Sequence, residues 1–212
     1  MVAESIEYEF KYELTRNSYS ELLKVLNAQD SVCRQQQLEN YYFDTPKLNL
    51  HRERYRTRVR IIDGKTANLT VKHPVKVERK ETRAKVRGEV EASLPIDLAK
   101  SLVNGDILIS EVLGLDPLDM LREAFKVKHI ESLKCLGGIS TLRTEATLQG
   151  DFKLEVDRSE IFSDIIYDAE VEVSSTDDEW VDEQAQKFFY QHKIEFTPNK
   201  TSKASRFIKG IR

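Results

Sequence analysis

The sequence predicts an α+β fold in which antiparallel strands close into a β-barrel and helices pack on the outside. At least six segments alternate charged and apolar residues with a period of two, as strands with one polar and one apolar face do. The helical segments carry strong apolar stripes that need a surface to pack on. The only apolar sheet faces are those opposite the charges. The helices are therefore expected outside, and the charged faces are expected to line a polar, hydrated interior.

Composition predicts one globular domain spanning residues 1–212, with helical additions near 96–124 and 176–212. Of the 212 residues, 40% are hydrophobic and 33% are charged, which is enough for one sizeable core. No apolar run approaches the roughly 20 residues of a membrane span, and the start lacks signal-peptide features, so we expect a cytoplasmic protein without a membrane partner. A net charge of −3 gives no basic footprint for nucleic acid. We expect a monomer or a homodimer, with Cys33 and Cys135 as reduced, structural thiols.

The first strand pattern covers residues 6–12. Its polar face carries Glu7, Glu9 and Lys11, and its other face is apolar and aromatic. Taken alone, such a strand is common at a surface, with solvent on its polar face. The similar patterns of the later strands favour the other interpretation, in which the polar face of this strand lines an enclosed interior. After this strand, Ser18 or Ser20 is expected to cap a short amphipathic helix.

A second informative pattern follows an extended segment, Val32 to Phe43, that is stopped by Pro46. Every even position from Arg52 to Arg60 is an arginine, so a strand here would carry five guanidinium groups on one face. Like charges repel, and guanidinium groups match phosphate oxygens well, so the row indicates an anionic ligand. An edge strand protected by its charge is the alternative. A turn at residues 63–64 leads into a similar strand around Leu69 to Lys72.

Later segments repeat the division into two faces, including a long strand from about Val77 to Leu94. Their polar faces carry both signs of charge: Arg83, Lys85, Arg87, Glu89 and Glu91; Thr141, Arg143 and Glu145; Lys153, Glu155 and Asp157; Glu170 and Glu172. Prolines predict helices near 96–104 and 116–124. A capping box at 176–179 predicts a helix to about His192 with Trp180 on its buried side. Residues 197–206 are expected to form a last, basic helix.

These polar faces indicate a particular chemistry. Several carboxylates in one interior are unfavourable unless a cation offsets them, and Mg²⁺ and Mn²⁺ favour oxygen ligands. Arginines and lysines in the same interior need a polyanion. Together they predict a metal-chelated phosphate chain. The sequence has no G-x-S-x-G motif and no P-loop, and its four histidines do not form a metal-ligand pair, so a metal-activated water is the expected nucleophile.

In order along the chain, these residues resemble the CYTH domain of the triphosphate tunnel metalloenzymes. The motifs are Glu7-x-Glu9-x-Lys11, Tyr42-Phe43-Asp44-Thr45-Pro46, Arg58-Val59-Arg60, Leu69-Thr70-Val71-Lys72, Arg87-x-Glu89-x-Glu91, Asp157 and Glu170-x-Glu172. The resemblance implies an eight-stranded antiparallel tunnel that binds a triphosphate and cleaves it with Mg²⁺ or Mn²⁺. Members of the family include inorganic and thiamine triphosphatases and class IV adenylyl cyclases.

The resemblance also implies roles for individual residues. By this resemblance, the expected metal ligands are Glu7, Glu9, Asp157, Glu170 and Glu172. The residues expected to bind phosphate are Lys11, Arg58, Arg60, Lys72, Arg87, Arg143, Lys200 and Lys203, and either of the last two is expected to close one end of the tunnel. The catalytic set is Lys11, Arg58, Arg60, Glu89 and Glu91. The two paired motifs in that set favour a triphosphatase acting on tripolyphosphate or an organic triphosphate. The alternatives are a class IV adenylyl cyclase and a non-catalytic polyphosphate- or nucleotide-binding module.

Overall fold

The computed structural model describes residues 4–75, 84–148, 152–173, 178–199 and 201–211. The strands are β1 (Glu4–Leu14), β2 (Val32–Asp44), β3 (Arg56–Ile62), β4 (Thr66–His73), β5 (Lys85–Leu94), β6 (Lys134–Thr147), β7 (Lys153–Ile161), β8 (Asp164–Val173) and β9 (Phe196–Asn199). The helices are α1 (Arg16–Ala28), α2 (Asn49–Arg52), α3 (Ile96–Asn104), α4 (Asp116–Ala124), α5 (Val127–Glu131), α6 (Asp178–Gln191) and α7 (Lys203–Gly210). A short 3-10 helix covers Ile109–Glu111.

The described strands form one antiparallel sheet in the order β5-β4-β3-β2-β6-β7-β8-β1-β9. An additional pairing of β5 with β1 closes the first eight strands, and the helices lie outside them. The predicted α+β fold with an eight-stranded antiparallel barrel is confirmed. Within the described part of the chain, every helix is too short or too polar to cross a lipid bilayer.

The described chain divides into two compact units, defined by contacts within each. The first unit contains residues 4–6, 38–75 and 87–139, and the second contains the remaining described residues. In the first unit, β3 and β4 form a hairpin in which Asp63 and Gly64 have φ angles of 52° and 67°. This left-handed turn matches the twist of the paired strands. Leu69 and Val71 of β4 are fully buried in a core that includes residues of α3 and α4, the two helices predicted at these positions.

A buried aspartate shapes the connection between β2 and β3. Asp44 accepts hydrogen bonds from the backbone N–H groups of Thr45, Leu50 and His51 at 2.7, 3.0 and 2.8 Å. These bonds hold the chain in a turn and start α2, because the carboxylate satisfies N–H groups that a helix start leaves open. The extended segment that was predicted before Pro46 is present as β2, and α2 follows the turn, so that β3 begins only at Arg56.

The arginine row is therefore shorter than the sequence predicted. Arg52 lies in α2, and Arg54 has a φ angle of 64°, which no strand residue adopts. Only Arg56, Arg58 and Arg60 belong to β3. The alternation of arginines in the sequence predicts a strand over the whole row. The turn held by Asp44 instead places Arg52 and Arg54 before the start of β3.

In the second unit, α1 and α6 cover the apolar face of the strands. Leu22, Phe189 and Val171 are fully buried in its core. The predicted α1 cap was wrong: Thr15, not Ser18 or Ser20, accepts a hydrogen bond from the Ser18 N–H at 3.0 Å. The assignment of Trp180 to the buried side of α6 was also wrong, because this side chain is 48% exposed. The start of the predicted capping box, Thr176, lies outside the described residues, as does the predicted strand between 77 and 83.

The tail differs from the single helix that was predicted. Residues 196–199 form β9, which pairs with β1 so that Lys11 lies opposite Asn199 and Leu14 opposite Phe196. The helix α7 begins only at Lys203, where the Ser202 side chain accepts a hydrogen bond from the Ser205 N–H. Phe207 and Ile208 bury one face of α7. The tail thus brings Lys203 back to the second unit as a short, anchored helix.

Candidate active site

The strand register of the second unit sets its charged residues in rows across β1, β8, β7 and β6. One row runs Lys11, Glu170, Glu155 and Glu145, and the next runs Glu13, Asp168, Asp157 and Arg143. Carboxylates directly opposite each other on neighbouring strands repel. Each row therefore needs cations, and the structure supplies them from β1, β6 and α7.

Lys11 is the cation of β1. Its Nζ lies 2.9 Å from Glu9 Oε2 and 2.7 Å from Glu170 Oε1, and its side chain is 7% exposed. Burial alone would lower the pKa of Lys11, but the carboxylates of Glu170 and Glu9 raise it above its usual value. Lys11 is therefore charged at neutral pH and holds two acidic residues of different strands together.

Arg143 is the cation of β6, and it lies directly opposite Asp157. It donates two hydrogen bonds to Asp157, Nε to Oδ1 at 2.9 Å and Nη2 to Oδ2 at 2.7 Å. The same guanidinium contacts Glu155 and lies 3.7 Å from Glu170 Oε2. Burial alone would raise the pKa of Asp157, but Arg143 and Lys203 hold it below its usual range. The pair stays ionised although Asp157 is fully buried.

Lys203 is the cation of α7. Its Nζ lies 2.9 Å from Asp157 Oδ2 and 3.5 Å from Asp168 Oδ2, and it also contacts Glu170 Oε1. Of the two lysines predicted to close one end, Lys203 therefore reaches the charged face, and Lys200 lies outside the described residues.

The acidic pairs of β1 and β8 have unequal surroundings. Glu9 is buried and also receives a hydrogen bond from Lys85 Nζ to its Oε1 at 2.7 Å. Glu7 is half-buried two residues earlier on the same strand. Glu172 lies opposite Glu9 in the register and is exposed, whereas Glu170 is buried. The predicted metal ligands thus include both buried and solvent-facing carboxylates.

In the first unit, β4 and β5 set Lys72 opposite Glu89. The Lys72 Nζ lies 2.8 Å from Glu89 Oε2. Burial alone would raise the pKa of Glu89, but Lys72 and the two arginines of the Arg58-x-Arg60 motif hold it below its usual range. The carboxylate is therefore ionised at neutral pH in a cationic environment.

Neutral oxygens orient the two arginines of β3. Arg58 Nη2 donates to Thr70 Oγ1 at 3.4 Å, and Arg60 Nε donates to Asn40 Oδ1 at 2.8 Å. Thr70 in turn donates to Glu91 Oε2 at 2.9 Å. These bonds fix the side chains on the charged face of the unit. The arginine charges remain suited to an anion, since Thr70 and Asn40 contribute no negative charge.

Arg56 and Arg87 bring two further guanidinium groups together. Burial and the nearby charge of Arg87 lower the pKa of Arg56. Arg56 Nη1 donates to the Tyr55 carbonyl at 2.6 Å. Two like charges near each other favour an anionic ligand, which agrees with the phosphate-binding prediction for Arg87.

The sequence was compared with models of known protein families, and one family matches nearly the whole chain. The family model named CYTH domain matches residues 5–208. The chain belongs to the CYTH family. This confirms the resemblance read from the motifs. No curated protein sequence matches the chain at a significant level.

Solved structures similar to this CYTH domain show the same fold. A candidate adenylyl cyclase from Hippeastrum, described as having a dominant triphosphatase activity, superposes with a TM-score of 0.81 at 20% identity, covering 96% of each chain. A candidate adenylate cyclase from Bacillus halodurans gives 0.75 at 22% identity, covering 96% of this chain and 98% of its own. A protein from Pyrococcus horikoshii gives 0.60 at 16% identity, covering 96% and 99%.

CYTH enzymes of the triphosphate tunnel type are generally metal-dependent, and a divalent ion needs carboxylate oxygens of the kind that this CYTH domain offers. Glu9, Asp157 and Glu170 offer buried, hard oxygen donors, and the pKa of Asp157 and of Glu170 is lowered. Among the described residues, no three acidic, histidine or cysteine side chains are close enough to hold an ion by themselves. Mg²⁺ commonly takes one or two protein carboxylates and completes its shell with water and substrate phosphates. The donor type therefore fits a hard divalent ion shared with a phosphate chain.

The roles predicted from the sequence left out several members of this charged face. Glu155 contacts Arg143, Asp168 contacts Lys203, and Lys85 contacts Glu9. Strand parity put Glu155 and Lys85 on polar faces without giving them a role, and it could also have found Asp168, which lies two residues before Glu170 on the same strand. Arg34 was also missed; it forms two 2.9 Å hydrogen bonds to Glu145.

Proposed function

We propose that this CYTH domain is a metal-dependent triphosphatase. One observation carries the proposal: buried carboxylates that stay ionised lie on a charged face together with permanently charged lysine and arginine side chains. Such a face is unfavourable for a protein that binds nothing, because desolvated charges need exact compensation. A phosphate chain with a divalent ion matches both signs. The substrate is inorganic tripolyphosphate or an organic triphosphate.

The cations of the domain bind the phosphate oxygens and neutralise the charge that builds up in the transition state. Phosphoryl transfer depends on positioning and charge neutralisation more than on covalent catalysis. The groups that do this are Lys11, Arg58, Arg60, Lys72, Arg87, Arg143 and Lys203. Arg58 and Arg60 are already oriented by Thr70 and Asn40, so they lose little freedom on binding.

The acidic residues divide into two groups by their surroundings. Glu7, Glu9, Asp157, Glu170 and Glu172 would hold Mg²⁺ or Mn²⁺, which supplies charge neutralisation and a more acidic bound water. Glu89 and Glu91 orient the attacking water, and Glu91 accepts its proton as the water oxygen bonds to the terminal phosphorus. Glu91 is suited to this because neutral donors, Asn68 and Thr70, fix it at 2.9 Å each. The bridging P–O bond breaks, and the shortened phosphate chain leaves.

A substrate panel tests the proposal. The purified protein is incubated with tripolyphosphate, thiamine triphosphate or ATP, with Mg²⁺, Mn²⁺ or a chelator, and phosphate, pyrophosphate and cyclic AMP are measured. We expect phosphate release from at least one triphosphate, abolished by the chelator. Pyrophosphate together with cyclic AMP would identify a cyclase instead, and binding without turnover would identify a non-catalytic module.

The arginines of β3 provide a test of phosphate binding. Arg58→Ala and Arg60→Ala are each expected to lower kcat/KM for the preferred triphosphate about tenfold to a hundredfold, because a hydrogen bond to a charged group contributes about 1.5–3 kcal/mol. Arg52→Ala is the matched control, since Arg52 is exposed in α2. Steady-state kinetics of the three variants decide the matter. Equal losses in all three would mean that the arginines act as a general basic surface.

A further inference from the structure

The Lys203 ammonium occupies the centre of an acidic cluster, defined here as Asp157, Asp168 and Glu170. It is within 4 Å of a carboxylate oxygen of each, and the three side chains are only 0%, 4% and 7% exposed. Because these carboxylates are buried, ions from the solvent cannot reach them to neutralise their charge. Their charge is compensated mainly by Lys203, together with Arg143 and Lys11 from the neighbouring strands.

The acidic cluster surrounds an ammonium in this structure. Asp157 and Asp168 oxygens lie 2.9 and 3.5 Å from Lys203 Nζ, and a Glu170 oxygen also contacts it. As long as Lys203 Nζ lies among them, these carboxylates hold an ammonium, which agrees with the finding that, among the described residues, no three side chains can hold a metal as they stand.

One oxygen of the cluster lacks a full partner. Asp168 Oδ2 is buried and has no hydrogen bond among the described residues, and its contact with Lys203 is the longest of the three. A buried carboxylate oxygen without a hydrogen bond is costly. A smaller, doubly charged cation would satisfy it better than one ammonium does.

Lys203 can leave the cluster without unfolding α7. The helix is held by other contacts: Phe207 stacks on Phe162 with ring centroids 5.3 Å apart, and Arg206 Nη2 lies 2.6 Å from Glu13 Oε2. Only the flexible four-carbon stem of Lys203 has to change rotamer. The cluster contact and the anchoring of the helix are therefore separable.

We propose that Lys203 is an internal counter-cation that competes with the divalent ion for the acidic cluster, so that Asp168 becomes a further metal contact when the ammonium withdraws. The inference rests on the proposed function for the identity of the ion. Before metal binds, Lys203 offsets the negative charge of the carboxylates and thereby stabilises the unit. Metal affinity is lowered by the same contacts, because the ion must displace them.

The test measures metal binding alone, by calorimetric titration of the full chain with Mn²⁺ and with Mg²⁺ in the absence of any triphosphate. Lys203→Met keeps the apolar stem and removes the charge. It is expected to bind metal about tenfold more tightly than the unsubstituted protein and to have a lower melting temperature without metal. Lys209→Ala, an exposed lysine of the same helix, is the control and should change neither quantity.

Two outcomes would overturn the inference. Equal or weaker metal binding by Lys203→Met would show that Lys203 does not compete with the divalent ion for the acidic cluster. If neither protein binds metal, and the substrate panel shows no metal-dependent hydrolysis, the proposed function fails as well.

A measurement on the unsubstituted protein covers the case in which Lys203→Met does not fold. Acetylation of individual lysines by an amine-reactive reagent is followed by mass spectrometry with Mg²⁺ and with chelator. We expect Lys203 to react several-fold faster with Mg²⁺, while the rate of Lys209 stays the same. An unchanged Lys203 rate would contradict the displacement.

Discussion

Glu9→Gln is expected to reduce the turnover of the preferred triphosphate at least about a hundredfold. The amide keeps the shape of the side chain but removes the negative charge that would offset a divalent ion, and metal-ion catalysis contributes several kcal/mol of transition-state stabilisation. The fold should survive, because Lys11 keeps its 2.7 Å contact with Glu170 and Lys85 is partly exposed. Activity at saturating Mg²⁺ and Mn²⁺ and the melting temperature are measured together.

Glu13→Gln is the matched control for this experiment. Glu13 lies on the same strand and the same face as Glu9, but its side chain is 48% exposed and pairs with Arg206. Its substitution is expected to leave turnover within a few-fold of the unsubstituted protein. Turnover of Glu9→Gln in that same range would show that Glu9 does not contribute to metal-dependent catalysis.

Arg143→Ala is expected to lower the free energy of unfolding by about 3–5 kcal/mol. Removing one partner of a buried ion pair leaves an uncompensated charge, and here Asp157, Glu155 and Glu170 all lose a contact. Denaturant unfolding near pH 7 measures the change. Arg158→Ala is the control, because Arg158 and Glu160 form an ion pair at the surface, and we expect a change below about 1 kcal/mol. A loss for Arg143→Ala as small as that of Arg158→Ala would mean that the charged face is hydrated and not desolvated.

Local patterns predicted most of the fold. Helices α3 and α4 cover the predicted ranges, because Pro95 and Pro117 mark their starts and the apolar spacing continues for two turns. β9 could not be predicted in this way. It is four residues long, contains Pro198, and owes its extended form to pairing with β1, a partner far away in sequence.

The sequence predicted which strand face each residue of the candidate site lies on, but it did not predict the ion-pair partner of each residue. Strand parity put Glu9, Asp157 and Glu170 on polar faces, and the residues lie there. Which cation meets which carboxylate depends on register between strands, which parity does not contain. The position of Arg143 opposite Asp157 and the reach of Lys203 from α7 are therefore results of the three-dimensional structure. The metal and phosphate roles assigned to these residues stay predictions.

The contacts of α7 also bear on how the protein is made. Arg206 and Glu13 are 193 positions apart, and Lys203 is synthesised 33 positions after its partner Glu170. On the ribosome, the acidic strands emerge before the lysine that neutralises them, and contacts between distant segments form slowly. A partly synthesised chain therefore exposes strongly acidic, unbalanced strands that resist collapse. Docking of α7 therefore follows synthesis of β1, β7 and β8, and it adds positive charge beside acidic residues of all three strands.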